Sequence, residues 1–199
     1  MLFRSHDVCF PFDNSVLTPC DTKKFLGVQI DKNLNFNAHT DEIIRKCRSR
    51  LFLMMKLRTI GLNVEGLKTF YTSNVRSVIS YGAPAWYCFL SDTNKQRLEN
   101  MQKSCINVIL PEFNYDEALI ALDLPKLNKF LFDISESHFS KILNNVHHPL
   151  HDRIIFNHDR FSSRSKYFFR PARCRTVKRQ HSFFNYFMMF RNNNFIYLQ

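Results

Sequence analysis

Residues 37–61 read NAHTDEIIRKCRSRLFLMMKLRTIG, and the spacing of their apolar positions decides the fold class. Ile43, Ile44, Cys47, Leu51, Met54 and Met55 recur at intervals of three and four, the period of one face of an α-helix. Asn37 can cap the helix start, Asp41 and Glu42 sit early where the helix dipole favours negative charge, and Gly61 closes the segment. Arg45, Lys46, Arg48, Arg50, Lys56 and Arg58 spread over the rest of the surface. The stretch therefore reads as an amphipathic helix with a core stripe and a basic face.

The same period repeats toward the C-terminus. Asn63 caps a second helix, with Leu67, Phe70, Tyr71, Val75, Val78 and Ile79 on one side, and Gly82-Ala83-Pro84 stops it. Thr93 and Gln96 have the capping-box spacing for a third, striped by Leu98, Met101, Cys105 and Ile109 and ended by Pro111. Asn114 and Glu117 repeat that pattern for a short helix through Leu122. Pro125 suits the first turn of another, which carries Leu127, Leu131, Ile134 and Ile142 and ends near Asn144-Asn145.

Residues 8–30 have no helical period. Asp13-Asn14-Ser15 is a turn signal between Val8-Cys9-Phe10 and Val16-Leu17. Lys24 to Ile30 alternates as a short strand, and Asp31-Lys32-Asn33 breaks it. The expected fold is mainly α: a short N-terminal β-hairpin, a small helical bundle and a basic, poorly structured C-terminal tail. The expected boundaries fall at 1–35, 36–150 and 151–199.

The chain of 199 residues is long enough for one domain plus a tail. Its four glycines, none after position 82, leave no G-x-G-x-x-G loop for a dinucleotide. Gly61 to Thr69 nearly spells a phosphate-binding loop, but Leu67 intrudes between Gly66 and Lys68, and a helix rather than a strand precedes it. The six cysteines include no C-x-x-C pair, so they read as reduced thiols of an intracellular protein. There is no secretory leader and no apolar run near membrane-spanning length.

Net charge is +11, and residues 151–199 hold +8 of it. Such an excess points to a polyanionic partner, nucleic acid first. In the tail, cations alternate with Phe161, Tyr167, Phe168, Phe169, Phe183 and Phe184, a composition suited to single strands. His147, His148 and His151 crowd a helix-to-tail junction without supporting Cys or Glu, so a solvated junction is expected rather than a metal site. His138 falls on an apolar helix face and is expected to pack. Tyr115-Asp116-Glu117 resembles a polymerase signature but sits where a helix start needs acids. No Asp-Asp pair, Ser-His-Asp elbow or Cys-His pair is present, so chemistry has no visible home.

Several segments together bear a family likeness. They are Lys24 to Asp31, Leu34-Asn35-Phe36 with His39, Tyr81 to Trp86, Arg97 to Lys103, Ile109-Leu110-Pro111, Asn114 to Leu119, Leu122 with Leu124 to Leu127, and Cys174-Arg175-Thr176. In order and spacing they resemble reverse transcriptases of non-LTR retrotransposons, LINE elements of the Jockey and chicken-repeat type. The resemblance covers roughly residues 8–185. It corresponds to the end of the palm, the primer-supporting hairpin, the helical thumb and the C-terminal extension. The catalytic aspartates of that family lie on an Ala-Asp-Asp turn that these residues lack. The resemblance implies RNA-directed DNA polymerisation in the parent, with Mg²⁺ as its metal, a nuclear location, and RNA and DNA as partners.

For these 199 residues the expectation is a fragment inactive alone, holding no metal or other cofactor and contacting neither a small-molecule substrate nor a membrane. The alternative is a stand-alone nucleic-acid-binding helical module of the same descent. Lys24, Phe25, Leu26 and Gly27 in the hairpin and Arg45, Lys46, Arg48 and Arg50 on the basic helix are the first candidate contacts. Arg164, Lys166, Phe168, Phe169, Arg170, Arg173, Arg175, Lys178 and Arg179 in the tail are the rest.

Overall fold

The amphipathic stretch forms a single helix, α1 (Asn37–Thr59), that buries His39, Thr40, Ile43, Ile44, Cys47 and Met54. The computed structural model describes residues 10–12, 15–17, 20–156 and 169–195, with side chains from 20–156 and 169–193. The start of α1 differs from the expectation. The cap position is Phe36, in the left-handed region at φ 54°, and no side chain caps the helix. Asp31 does the local work instead: its carboxylate accepts the backbone N–H groups of Asn33, Asn35 and Phe36. That fold-back holds two strained residues, Leu34 and Phe36, and turns the Phe36 ring into the core.

Before α1 come two hairpins. β1 (Phe10–Phe12) pairs antiparallel with β2 (Ser15–Leu17), while the Asp13-Asn14 turn signal lies outside the described residues. The segment from Lys24 to Ile30 is not one strand. It is a second hairpin, β3 (Thr22–Phe25) and β4 (Val28–Asp31), reversed at Leu26-Gly27 with φ of 46° and 84°. Two positive φ values in succession make the turn whose twist matches antiparallel strands. Val28 is buried and Ile30 packs against the core, so this hairpin is anchored at its β4 side.

After α1, Asn63 caps α2 (Val64–Phe70) by accepting the Gly66 N–H at 2.8 Å. Gly66 is needed by packing: a Cβ there would lie 2.7 Å from Leu62 Cδ1. The helix continues through a π-helical stretch, Tyr71–Arg76, into α3 (Ser77–Ser80). Leu67, Tyr71, Val75 and Ile79 are all buried. Residues four apart drift about 40° per step on a regular helix. The wider π turn takes up that drift and keeps the four on one face.

Gly82, at φ 63°, then admits α4 (Ala83–Trp86) and a 3-10 turn, Tyr87–Phe89. α5 (Asp92–Ile109) is capped by Ser91, not by Thr93, and buries the expected stripe of Leu98, Met101, Cys105 and Ile109. It runs beside α1 in the same direction, through Asn94 to Asn37 and Arg97 to Asp41. α6 (Tyr115–Ala121) has the full capping box of Asn114 and Glu117. α7 (Leu127–Leu143) follows and is closed by Asn144.

Buried polar groups join these helices. The Tyr71 hydroxyl donates to Gln102 Oε1, and Gln102 Nε2 donates to the Tyr115 hydroxyl and the Pro125 carbonyl. Tyr115 donates to Glu99, whose carboxylate also accepts the N–H groups of Leu127 and Asn128 at 3.2 and 3.0 Å. α7 has no side-chain cap from its own start at Lys126, so α5 supplies one.

The chain is mainly helical after its N-terminal hairpins, as read from sequence. The tail needs a correction over the residues described. A 3-10 turn, His151–Arg153, leads to Phe156, which bridges to Phe169. α8 (Val177–Gln180) and α9 (Phe183–Phe195) follow, and Phe169, Phe187 and Met188 are buried. Asn192 accepts the Phe169 N–H at 2.9 Å and donates to the Phe169 carbonyl at 2.8 Å. Phe139 of α7 meets the rings of Phe169, Phe183, Phe184 and Phe187 at 5.7 to 6.4 Å. Apolar burial against α7 orders this part of the tail despite its charge.

Removing Glu99 strands three donors at once, one of them buried and two half-buried. Glu99→Ala is expected to destabilise the protein by about 2–4 kcal/mol. Glu99→Gln, which keeps an acceptor, should cost less. Urea unfolding of the three proteins checks this; equal stabilities would refute the role given to Glu99.

Candidate nucleic-acid interface

The exposed face of α1 is continuous. Asn37, Asp41, Arg45, Arg48, Phe52 and Lys56 are all exposed and follow one another at three- or four-residue steps. Asp41 is neutralised by Arg97 at 2.6 Å. Arg45 and Arg48 have no acidic partner among the described residues, and the Lys56 ammonium lies 5.4 Å from the centre of the exposed Phe52 ring. Net positive charge and an accessible ring therefore share one stripe.

The other candidates on α1 have internal duties. Lys46 binds Glu42 at 2.8 Å, and so does Lys24 from β3. Arg50 is half-buried and donates back to the Lys46 carbonyl at 3.4 Å. Arg58 donates to the Val108 carbonyl and fastens the end of α1 to α5. Of eight candidates in the hairpin and helix, Arg45 and Arg48 are the cations left free for a partner.

At the hairpin tip, Phe25 and Leu26 are 63% and 76% exposed. The Leu26 carbonyl accepts from the Tyr81 hydroxyl at 3.1 Å, and a Cβ on Gly27 would meet the Tyr81 ring at 3.1 Å. The tip is thus rigid and apolar, and the cation beside it, Lys24, is paired with Glu42.

In the tail, Arg170, Arg173, Arg175, Lys178 and Arg179 are exposed and have no acidic partner among the described residues. Phe169, expected as a stacking ring, is in the core between Phe139 and Phe156 and presents no face. Phe183 and Phe184 pack the same cluster. Arg164, Lys166 and Phe168, with Phe161 and Tyr167, lie outside the described residues. Val177, Lys178 and His181 line one cleft with Asn35, Asn37 and Ser91. Lys178 of the tail therefore adjoins the start of the α1 stripe, although the two regions are far apart in sequence.

The joint between hairpin and α1 is electrostatic. Lys24 and then Lys46 hold the Glu42 carboxyl down at about 2. Beside it, the His39 ring is buried, accepts the Gln29 N–H on Nδ1 at 3.4 Å, and meets Trp86 edge-on at 5.3 Å. Its proton therefore sits on Nε2, which has no hydrogen-bond partner. Burial lowers the His39 pKa and keeps the ring neutral.

The remaining chemistry-bearing groups read simply. Burial pushes the Cys47 thiol up to about 11 and those of Cys88 and Cys105 up to about 12, which keeps them protonated and unreactive. Tyr115-Asp116-Glu117 is a helix start, with Asp116 paired to Lys126 at 2.9 Å. His138 is half-buried against Phe183 at 5.7 Å. His147, His148 and His151 occupy the turns after α7, and among the described residues no group of three or more His, Cys, Asp or Glu is placed to hold a metal ion. The carboxylates that a two-metal polymerase needs are not among these residues. Among the described residues no helix is long and apolar enough to cross a membrane.

No family model, no curated protein and no solved structure matches the chain.

Acid should loosen the hairpin joint. The folded pKa of Glu42 lies below its ordinary 4.5, so its stabilising pairs are complete above about 4.5 and are lost as pH falls toward about 2. The lowered pKa of His39 acts in the same direction, beginning below about 6.5, where the unfolded chain takes up a proton first. The protection of β3 and β4 amides, relative to intrinsic exchange at each pH, is expected to fall between pH 6 and 3 more than that of α5. Glu42→Gln should remove the more acidic part of that change; an unchanged profile would refute the assignment.

Proposed function

We propose that the chain binds RNA and DNA along the exposed α1 stripe and the adjoining tail cations, without reading base sequence. The observation that carries the reading is the pairing pattern. Cations turned inward or toward the hairpin have acceptors, whereas Arg45, Arg48 and the five tail cations from Arg170 to Arg179 have no acidic partner among the described residues. Unneutralised guanidinium groups on one surface bind phosphates bidentately and release condensed counterions. Phe52, exposed between Arg48 and Lys56, adds an apolar contact for sugar or base.

The likeness to the thumb of non-LTR reverse transcriptases supports the same assignment. In that reading α1 follows a template–primer duplex, and the rigid tip at Phe25-Leu26-Gly27 supports a primer end. The exposed apolar tip favours a second surface beside it, hence a polymerase-derived piece over a self-sufficient module. The Ala-Asp-Asp turn is absent from these residues, so we propose no catalysis by this chain alone. Mg²⁺ would belong to the polymerase site of the parent.

With four to six phosphates contacted, log K is expected to fall with log salt at a slope of roughly −3 to −5. Truncating the tail would unpack Phe139, so substitutions in the full chain are the better test. Arg45→Gln with Arg48→Gln should flatten the slope by about 1.5, and Arg173→Gln, Arg175→Gln and Lys178→Gln together by about 2 to 3. Filter binding of an RNA–DNA heteroduplex and of single strands from low to moderate salt reads this. No salt-dependent binding by the unaltered protein would overturn the proposal. Primer extension with Mg²⁺ or Mn²⁺ is expected to show no synthesis.

A further inference from the structure

On α5, away from its buried stripe, a cleft of about 480 Å³ opens between the helix and the 110–115 loop. Its floor is apolar, from Ile106, Leu110 and the Tyr115 ring, and its rim is polar. The hydrogen-bonding capacity of that rim is only partly used. Asn100 Oδ1 accepts from Gln96 at 2.9 Å, which leaves the Asn100 amide N–H₂ free. Asn114 Oδ1 accepts the Glu117 N–H at 3.0 Å, which leaves its N–H₂ free as well. The Asn107 amide and the Lys103 ammonium have no hydrogen-bond partner among the described residues and are exposed. Phe113, 47% exposed, supplies an open ring at the same cleft.

The helix that carries the cleft is also tied to the end of α1. Arg58 donates to the Val108 carbonyl, next in sequence to Asn107.

We propose that this cleft receives one unpaired nucleobase of a bound strand. The inference rests on the nucleic-acid reading given above and adds a strand-selective subsite to it. A flat ligand can stack on Phe113 over the apolar floor, as bases do on aromatic rings in single-strand binding. The free groups are mainly donors, from Asn100, Asn114 and Lys103. They match the carbonyl acceptors of uracil, thymine or guanine better than the amino edge of adenine. Lys103 is left for the phosphate attached to that nucleotide. A base held in a duplex has its edge paired and its faces stacked, so it cannot enter.

The test uses the full chain with Phe113→Ala, Asn107→Leu and Lys103→Gln, three exposed positions outside the core. Circular dichroism and thermal melting confirm that each variant is folded. The probes are a uridine homopolymer of single-stranded RNA and an RNA–DNA heteroduplex of equal length. Phe113→Ala is expected to weaken single-strand binding roughly five- to a hundredfold with its salt slope unchanged. Lys103→Gln should lower that slope by about 0.7. Heteroduplex binding should stay within twofold for Phe113→Ala and Asn107→Leu. If single-strand and heteroduplex affinities are both unchanged in Phe113→Ala and Asn107→Leu, or fall together, the subsite is refuted while the broader binding surface stands. If the unaltered protein binds neither probe, the nucleic-acid reading fails and the subsite with it.

Discussion

The Glu99 carboxylate is the contact on which the arrangement of the helices depends. A buried carboxylate is costly unless several donors reach it. Here three do: the Tyr115 hydroxyl from α6 and the N–H groups of Leu127 and Asn128 from α7. The first turn of α7 places positive partial charge at the same point. Gln102, one turn along α5, continues the network to Tyr71, Tyr115 and Pro125. Burial raises the pKa of both phenols, so they remain protonated donors. One helix thus sets the positions of the π stretch, α6 and α7 through directional bonds that apolar packing alone does not supply.

That constraint bears on function because α5 carries a different chemistry on its outer side. Glu99 and Gln102 point inward, while Asn100, Lys103 and Asn107 line the open cleft. Arg97 and Asn94 of the same helix hold Asp41 and Asn37 of α1. The cationic stripe and the amide-rimmed cleft are therefore parts of one rigid pair of helices. Side chains held in place before binding lose less entropy when a ligand arrives.

The aromatic surplus of the chain has a comparable consequence. Phe139, Phe169, Phe183 and Phe187 form one cluster between α7, α9 and the 169 strand bridge. Among the described residues, Phe169 is removed from solvent and Phe183 and Phe184 are half-buried, while Arg170, Arg173, Arg175, Lys178 and Arg179 stay outside. The result presents Lys178 at a defined place beside Asn35 and Asn37, with Arg173, Arg175 and Arg179 exposed on the same packed segment.

The sequence by itself determined what depends on residues a turn apart. The helical periods, the caps at Asn63 and Asn114 and the basic face of α1 are of this kind, because a helix face or a cap is settled within four residues. The tertiary structure alone decided the rest. Asp31 replaced Asn37 in shaping the start of α1, and Glu42 took Lys24 and Lys46 out of the set of free cations. Phe169 went to the core instead of the surface, and Lys178 came to lie beside Asn37. Each of these outcomes turns on a partner brought near by folding, and burial or charge pairing with such a partner outweighs the local preference of the residue. Glu99 is the clearest instance: in sequence it is one acid on a polar helix, and only the approach of Tyr115 and the start of α7 gives its charge a buried use.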